Sequence, residues 1–383
     1  MPNFHGIKVN EPLTGTRPIL ASSLATIGLV ATATAAVGAP TEALDAAFPV
    51  NQPVLLTDVR AAVAQAGTGG TLRDSLAAIA DQTNPVAVVV RVEAGEDAAE
   101  TDANVIGDTG GSYTGLNALL AAEAQLGVRP RIIGVPGLDT QAVTTEMAAV
   151  ARKLRAFSYA SAIGADVPEA VTYRENFGAR ELMLLWPNFS GGFAGDAVAR
   201  ALGLRSRIDN EFGWHKTLSN VAVDGVTGMS KDVFFDLHSD QTDAALLNAA
   251  DITTLVRANG FRFWGNRTCS DEPLFAFEST VRTSHAIQDE IAAGLMWAID
   301  KPITRSLFRD IEETINARLR QLVAQGRIIG GRAWIDPALN PPAQLAAGKI
   351  VVDYDYTPCA PAEELTLNQR ITDRYYGDIL LAA

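Results

Sequence analysis

Residues 85–92 read Pro85-Val86-Ala87-Val88-Val89-Val90-Arg91-Val92, and this run decides the fold. A continuous apolar stretch of this length is a strand covered on both faces, the pattern of a sheet lying between helical layers. Working outward, strands and helices alternate. Residues 116–126 are rich in Ala and Leu and predict a helix, which Gly127 ends. Residues 131–136, Arg-Ile-Ile-Gly-Val-Pro, predict a second buried strand. A helix over 144–154, a strand over 156–163, a short helix over 172–177 and a strand over 181–186 follow. Residues 242–259 predict a further helix, closed by Gly260. This βαβα rhythm predicts an α/β layer with a largely parallel sheet.

Upstream, residues 19–39 carry no charge. They can be read as a secretory signal peptide or as a buried strand over 24–30 followed by a small-residue loop. The long leader before them, which contains Glu11, favours the strand. As a membrane span the stretch is only marginally apolar. Residues 3–10, NFHGIKVN, alternate around Ile7 and Val9 as a short strand should, and EPLTGTRP links them to the body. Such a strand is an arm: it cannot bury its apolar face alone and needs a sheet edge.

Downstream the character changes. A strand is predicted over 275–282. A helix over 284–299 puts Ile287, Ile291, Leu295 and Ala298 on one face. Thr304 can cap a second helix, with Leu307, Ile311, Ile315, Leu319 and Leu322 inward and Gly326 at its end. Strands follow over 328–335 and 349–356. In the latter, Ile350, Val352, Tyr354 and Tyr356 share one face, and Asp353 and Asp355 the other. A last strand over 365–373, behind the linker TPCAPAEE, sets Leu365, Leu367 and Ile371 on one side. The reading is a mixed α+β domain ending in a second arm.

The 383 residues can bury a large core or two, and 48% hydrophobic against 20% charged residues is a globular balance. The net charge of -13 argues against nucleic acid or an anionic membrane as partner. Two cysteines, Cys269 and Cys359, are too few for a disulfide framework, and the four histidines form no metal-ligating pair. The glycine clusters at 67–70 and 107–111 lack the phosphate-loop and dinucleotide patterns and read as turns. There is no GxSxG elbow and no SxxK motif. Cys269 with His285 is a conceivable pair, but a loop thiol is the simpler reading. Asp353 with Asp355, and Glu363 with Glu364, read as a solvated strand face and a solvated loop. Phe261, Phe263 and Trp264 read as core. No cofactor is expected, and the chain is read as a non-enzyme; a soluble α/β hydrolase with a hidden triad is the rival from another class.

Residues 247–268, LNAADITTLVRANGFRFWGNRT, hold the most specific pattern, ending in Trp264-Gly265-Asn266-Arg267-Thr268. This resembles the signature of contractile phage tail sheath proteins. Phe4-His5-Gly6-Ile7-Lys8-Val9 is similar to that family's opening strand, and Ser22–Leu29 to its next one. Lys153–Ala156, Asn176–Gly178 and Gly225–Gly228 also have counterparts there. The match is with the shorter sheaths of P2-like phages and R-type bacteriocins.

The resemblance implies a subtilisin-like α/β domain over 19–265 and an α+β assembly domain over 266–360. A strand arm and linker would lie over 1–18, and a second arm over 361–383. It implies inter-subunit strands carried by Phe4, Ile7, Val9, Leu365, Leu367 and Ile371 that add to neighbouring sheets. It further implies stacked hexameric rings around a tail tube, with baseplate and tail terminator proteins as further partners. The chain would be made in the host cytoplasm and end in the virion tail, or belong instead to a phage-derived injection or secretion system. Arg305, Arg309, Arg318 and Arg320, on or near one helix, are candidates to face the tube, or form a solvated helix face. A disulfide between subunits through Cys269 and Cys359 is the alternative to two reduced thiols.

Overall fold

The computed structural model describes residues 23–35 and 40–376. The N-terminal strand with Phe4, Ile7 and Val9 therefore lies outside the described residues. The strands, in chain order, are β1 (Ile27–Thr34), β2 (Pro53–Leu56), β3 (Gly69–Gly70), β4 (Ala87–Val92), β5 (Ile132–Gly134), β6 (Phe157–Ser161) and β7 (Leu182–Leu185). They continue with β8 (Phe189–Ser190), β9 (Ala222–Val223), β10 (Gly228–Met229), β11 (Ile252–Arg257), β12 (Phe261–Trp264), β13 (Ile328–Trp334) and β14 (Asp353–Pro358).

A ten-stranded sheet runs in the order β2-β4-β1-β5-β6-β7-β11-β12-β9, with β3 against β1. Its centre, β4 through β11, is parallel, and its margins are antiparallel: β2 on β4, and β12 on β11 and β9. The apolar run at 85–92 is read correctly. Val89 and Ala87 enter one core, Val88, Val90 and Val92 the other, so a strand with two buried faces needs no polar alternation. The charge-free segment behaves likewise. Its strand sits between β4 and β5 at the middle of the sheet, with Leu29 and Val30 buried on opposite faces. No helix among the described residues is long and apolar enough to cross a membrane.

Helices Leu72–Gln82 and Ala197–Glu211 cover one face. Helix Gln141–Leu154 and its neighbours cover the other. Starts are set by side-chain caps: Thr140, Asp166 and Asp196 each accept a hydrogen bond from a backbone N–H three residues on. The third core packs helices Glu278–Gly294 and Arg305–Ala324 against the β13–β14 hairpin, with Leu307, Ile311, Ile315, Leu319 and Leu322 inward as the periodicity predicts.

Four sequence expectations are corrected. Residues 242–259 are not one helix. The helix Asp243–Ala249, capped by Thr242, stops where Asp251 takes a left-handed conformation (φ 56°), and Ile252-Thr253-Thr254-Leu255-Val256 then enters the sheet as β11. Asn259 and Gly260, both at positive φ, turn the chain into β12. The β-branched run, stiff at χ1, wins over the helical spacing of the leucines. Residues 275–282 are not a strand, and the helix expected over 284–299 already begins at Glu278 and ends at Gly294. Its first turns bury Glu278 and Arg282 alongside Val281, so the inward face carries charge and hides the apolar period. The short helix expected over 172–177 is Val167–Arg174, started earlier by the Asp166 cap and Pro168.

Candidate functional site

The signature Trp264–Thr268 leaves β12 at the sheet margin and turns directly into the C-terminal helices. Phe263 is fully buried, and Trp264 packs edge-on against Phe235 at 5.0 Å. Gly265 has φ 148°, and a Cβ there would lie 2.7 Å from Thr253 Oγ1 and 2.8 Å from Thr253 Cα, so only glycine fits beside β11. Its N–H donates to Ser219 Oγ at 3.1 Å. Asn266 O accepts from the N–H of Glu278 at 3.0 Å, and Thr268 N–H donates to Ala276 O at 2.8 Å. The loop is thus pinned by its own backbone to the start of helix Glu278–Gly294.

That helix is tied to helix Ala197–Glu211 and to the ends of the sheet's connections by buried ion pairs. Glu278 is fully buried and accepts from Tyr159 Oη, from Arg205 Nη1 at 3.2 Å and from Leu218 N–H at 3.2 Å. Arg282 pairs with Asp209, which also holds Arg205 at 2.8 Å. One turn pair further on, Asp289 meets Arg131 and Arg155, each at 2.5 Å. Burial lowers the Arg131 guanidinium to about 10, against the upward pull of Asp289. Such pairs contribute little net stability over an apolar isostere but are costly to break singly.

On the solvent side, the signature meets the root of the C-terminal arm. Arg267 Nη2 donates to Glu363 Oε2 at 2.9 Å and Arg267 Nε to Oε1 at 3.3 Å. Asn266 Nδ2 reaches Glu363 Oε1 at 3.5 Å, and its own Oδ1 accepts from Thr217 Oγ1 at 2.6 Å. Behind Arg267 stands Asp251 at 3.9 Å, itself held by Arg174 at 3.1 Å. Beside this contact opens a cleft of about 910 Å³, lined among others by Phe212, His215, Leu237, Trp264 and residues 359–363. Beyond Glu363, no strand pairing is formed among the described residues. Leu365, Leu367 and Ile371 are 82%, 80% and 97% exposed.

The other predicted residues separate. Arg305, Arg309 and Arg320 are exposed on helix Arg305–Ala324, Arg309 beside Asp310 and Arg320 beside Glu313. Arg318 does not join them. It is buried and forms a bidentate pair with Glu290 at 2.7 and 2.8 Å, because its place in the helical repeat is inward, next to Leu319 and Leu322. It is removed from the tube-facing set. Cys269 is likewise removed from the disulfide. It is fully buried in the second core, where burial pushes its thiol to about 12, and its N–H donates to Leu182 O. Cys359 is half-buried at the arm root. Gly69 and Gly70 form the short strand β3 against β1. Sequence reasoning assigned no role to Glu363, Asp251 or Thr217. The first was read as a solvated loop residue, and no spacing signal links it to Arg267 across 96 positions.

The family model described as phage tail sheath protein central domain matches residues 111–269, and that for the phage tail sheath C-terminal domain matches 270–372. The Gp18 domain III N-terminal region of a tail sheath protein matches 25–92. The chain is 52% identical to the tail sheath protein of Escherichia phage P2, over 98% of this chain and 97% of that one. It belongs to the phage tail sheath family. A second relative, the major tail sheath protein of Serratia phage KSP20, is 45% identical over 97% of this chain and 96% of its own. Among solved structures, the contracted helical sheath of the anti-feeding prophage superposes with TM-score 0.72 at 18% identity, over 95% of this chain and 98% of that one. The contracted sheath complex of PVC, an extracellular contractile injection system, gives 0.69 at 14% identity, over 98% and 99%. Those two likenesses are of fold. With its relatives, this sheath subunit is a structural component of a contractile tail.

Proposed function

We propose that the sheath subunit polymerises through its terminal strands into stacked hexameric rings around an inner tail tube, and that contraction drives the tube through a target cell envelope. The observation that carries this reading is the C-terminal arm, which presents Leu365, Leu367 and Ile371 to solvent while making no ladder among the described residues. Extended segments of this kind gain their hydrogen bonds by adding to a sheet edge of another subunit. The hairpin β13–β14 offers such an edge, since its strands pair only with each other among the described residues. The N-terminal arm over 1–18, with Phe4, Ile7 and Val9, is the counterpart of the arm over 361–383. Between them stand the α/β unit over 19–265, subtilisin-like in topology, and the α+β unit over 266–360.

A head-to-tail contact builds an open helical array. The arms hold while the bodies re-dock, and the work comes from a metastable extended array, with no nucleotide and no catalysis. Arg305, Arg309 and Arg320 face the tube. Baseplate and tail terminator proteins cap the array, which is assembled in the host cytoplasm and leaves in the virion tail. Identity to the phage P2 sheath supports a phage tail over a phage-derived injection system. Deleting residues 1–12 is expected to leave soluble, folded monomers in negative-stain micrographs where the full chain forms striated tubes. Regular tubes from that truncate would overturn the arm reading.

A further inference from the structure

We infer that Arg267 is the positioning residue of the C-terminal arm: with Asn266 it clamps Glu363 and so fixes where, and in which direction, the arm leaves the body. This deepens the arm reading and rests on it.

The contact is forked on the cation side. Arg267 uses Nη2 and Nε on the two carboxylate oxygens, at 2.9 and 3.3 Å, which sets an angle as well as a distance. Arg267 is itself oriented. Asp251 lies 3.9 Å behind it, Arg174 holds Asp251 at 3.1 Å, and the Phe277 ring lies 5.4 Å under its guanidinium. Charges therefore alternate from the body outward: Arg174, Asp251, Arg267, Glu363. Asn266 is fixed by Thr217, which takes its amide oxygen and turns the amide nitrogen toward Glu363. The backbone of both signature residues is rigid, through Gly265 against β11 and Asn266 O against Glu278. Glu363 is the point at which the body holds the arm: just beyond it, Leu365, Leu367 and Ile371 stand exposed to solvent. An arm leaving at a defined angle reaches its neighbour with less conformational freedom to lose than one swinging from Cys359. The clamp stabilises assembly and not the fold, since both of its charges are partly exposed.

The test uses the full chain and the double-mutant cycle of Arg267→Ala and Glu363→Ala. The readouts are monomer melting temperature, hydrogen exchange of residues 359–363 below the assembly threshold, and the lowest protein concentration that yields sedimenting tubes. Each single variant is expected to melt like the wild type, exchange faster over 359–363, and raise the threshold about fivefold, the loss expected for one ion pair of ~1 kcal/mol. The double variant is expected to add little to either single one, and Arg267→Lys to fall between, since it keeps the charge and loses the fork. Should Arg267→Ala disturb folding, Glu363→Ala alone carries the test, being in the linker. A wild-type threshold for Glu363→Ala, or purely additive effects, overturns the clamp. A chain lacking 365–383 separates the two ideas. If it still forms tubes, the arm reading itself fails; if it does not while Glu363→Ala assembles normally, only the clamp falls.

Discussion

His285 and Cys269 show how far burial sets side-chain chemistry in this subunit. His285 is buried on helix Glu278–Gly294, and burial, followed by the fields of Arg282, Arg180, Arg131 and Arg155, lowers it to about 3. It stays neutral in the folded chain, whereas the unfolded chain protonates it near the ordinary histidine value. Between about pH 6.5 and 3 the unfolded state holds the extra proton, so this group's contribution is full above pH 6.5 and declines as the pH falls. The urea-unfolding stability of the wild type relative to His285→Gln is expected to drop by about 2 kcal/mol from pH 7 to pH 5. A difference flat with pH would show that His285 takes up its proton in the folded chain as readily as in the unfolded one. Cys269, with its thiol raised to about 12, is inert for the same reason of burial. A thiol reagent is therefore expected to modify one cysteine per native chain, Cys359, and both in denaturant. Any disulfide between subunits in purified tails then runs through Cys359 and disappears in Cys359→Ser.

At the scale of elements, the described part of the C-terminal segment leaves three apolar residues, Leu365, Leu367 and Ile371, exposed to solvent. The double substitution Leu365→Asp with Ile371→Asp is expected to leave the melting temperature within about 1 °C, since surface changes are usually worth less than ~0.5 kcal/mol. On the proposed arm reading it is expected to abolish sedimenting tubes, because the arm's apolar side could no longer enter a neighbouring sheet. Loss of thermal stability would instead place those side chains in the subunit's own core. The helix Glu278–Gly294 is the opposite case, built to be buried on nearly all sides, with Glu278, Arg282 and Asp289 as ion-pair partners for the sheet unit. Alternation at 275–282 reads as a strand only because those charges interrupt the 3.6-residue apolar repeat.

Across the described molecule, these pairs tie the sheet unit to the C-terminal helices. The pairs Arg205–Glu278, Arg282–Asp209 and Arg131–Asp289 cross from one to the other, and Arg282 also donates to Leu24 O at the entry to β1. A single calorimetric unfolding transition is expected for the monomer. Arg282→Ala, which leaves Asp209 with one partner fewer in a buried site, is expected to cost about 3–5 kcal/mol and to separate the two units into distinct transitions. Two transitions in the wild type would mean that the units move independently, and re-docking of one rigid body would no longer describe contraction.

The sequence by itself determined the parts that follow from local periodicity and composition. The strand at 85–92, the central strand in the charge-free segment, helix Gln141–Leu154 and the inward stripe of Arg305–Ala324 were all legible, because each writes its burial into consecutive residues. The signature Trp264–Thr268 was legible as a pattern, and it pointed to the sheath family. What it touches was decided by the tertiary structure alone. The pairing of Arg267 with Glu363, the inward turn of Arg318 onto Glu290, and the sealing of Cys269 join residues far apart in the chain or depend on which side a helix presents. Charge, unlike hydrophobicity, carries no periodic mark of its partner, so its role becomes visible only once the fold has brought the two ends together.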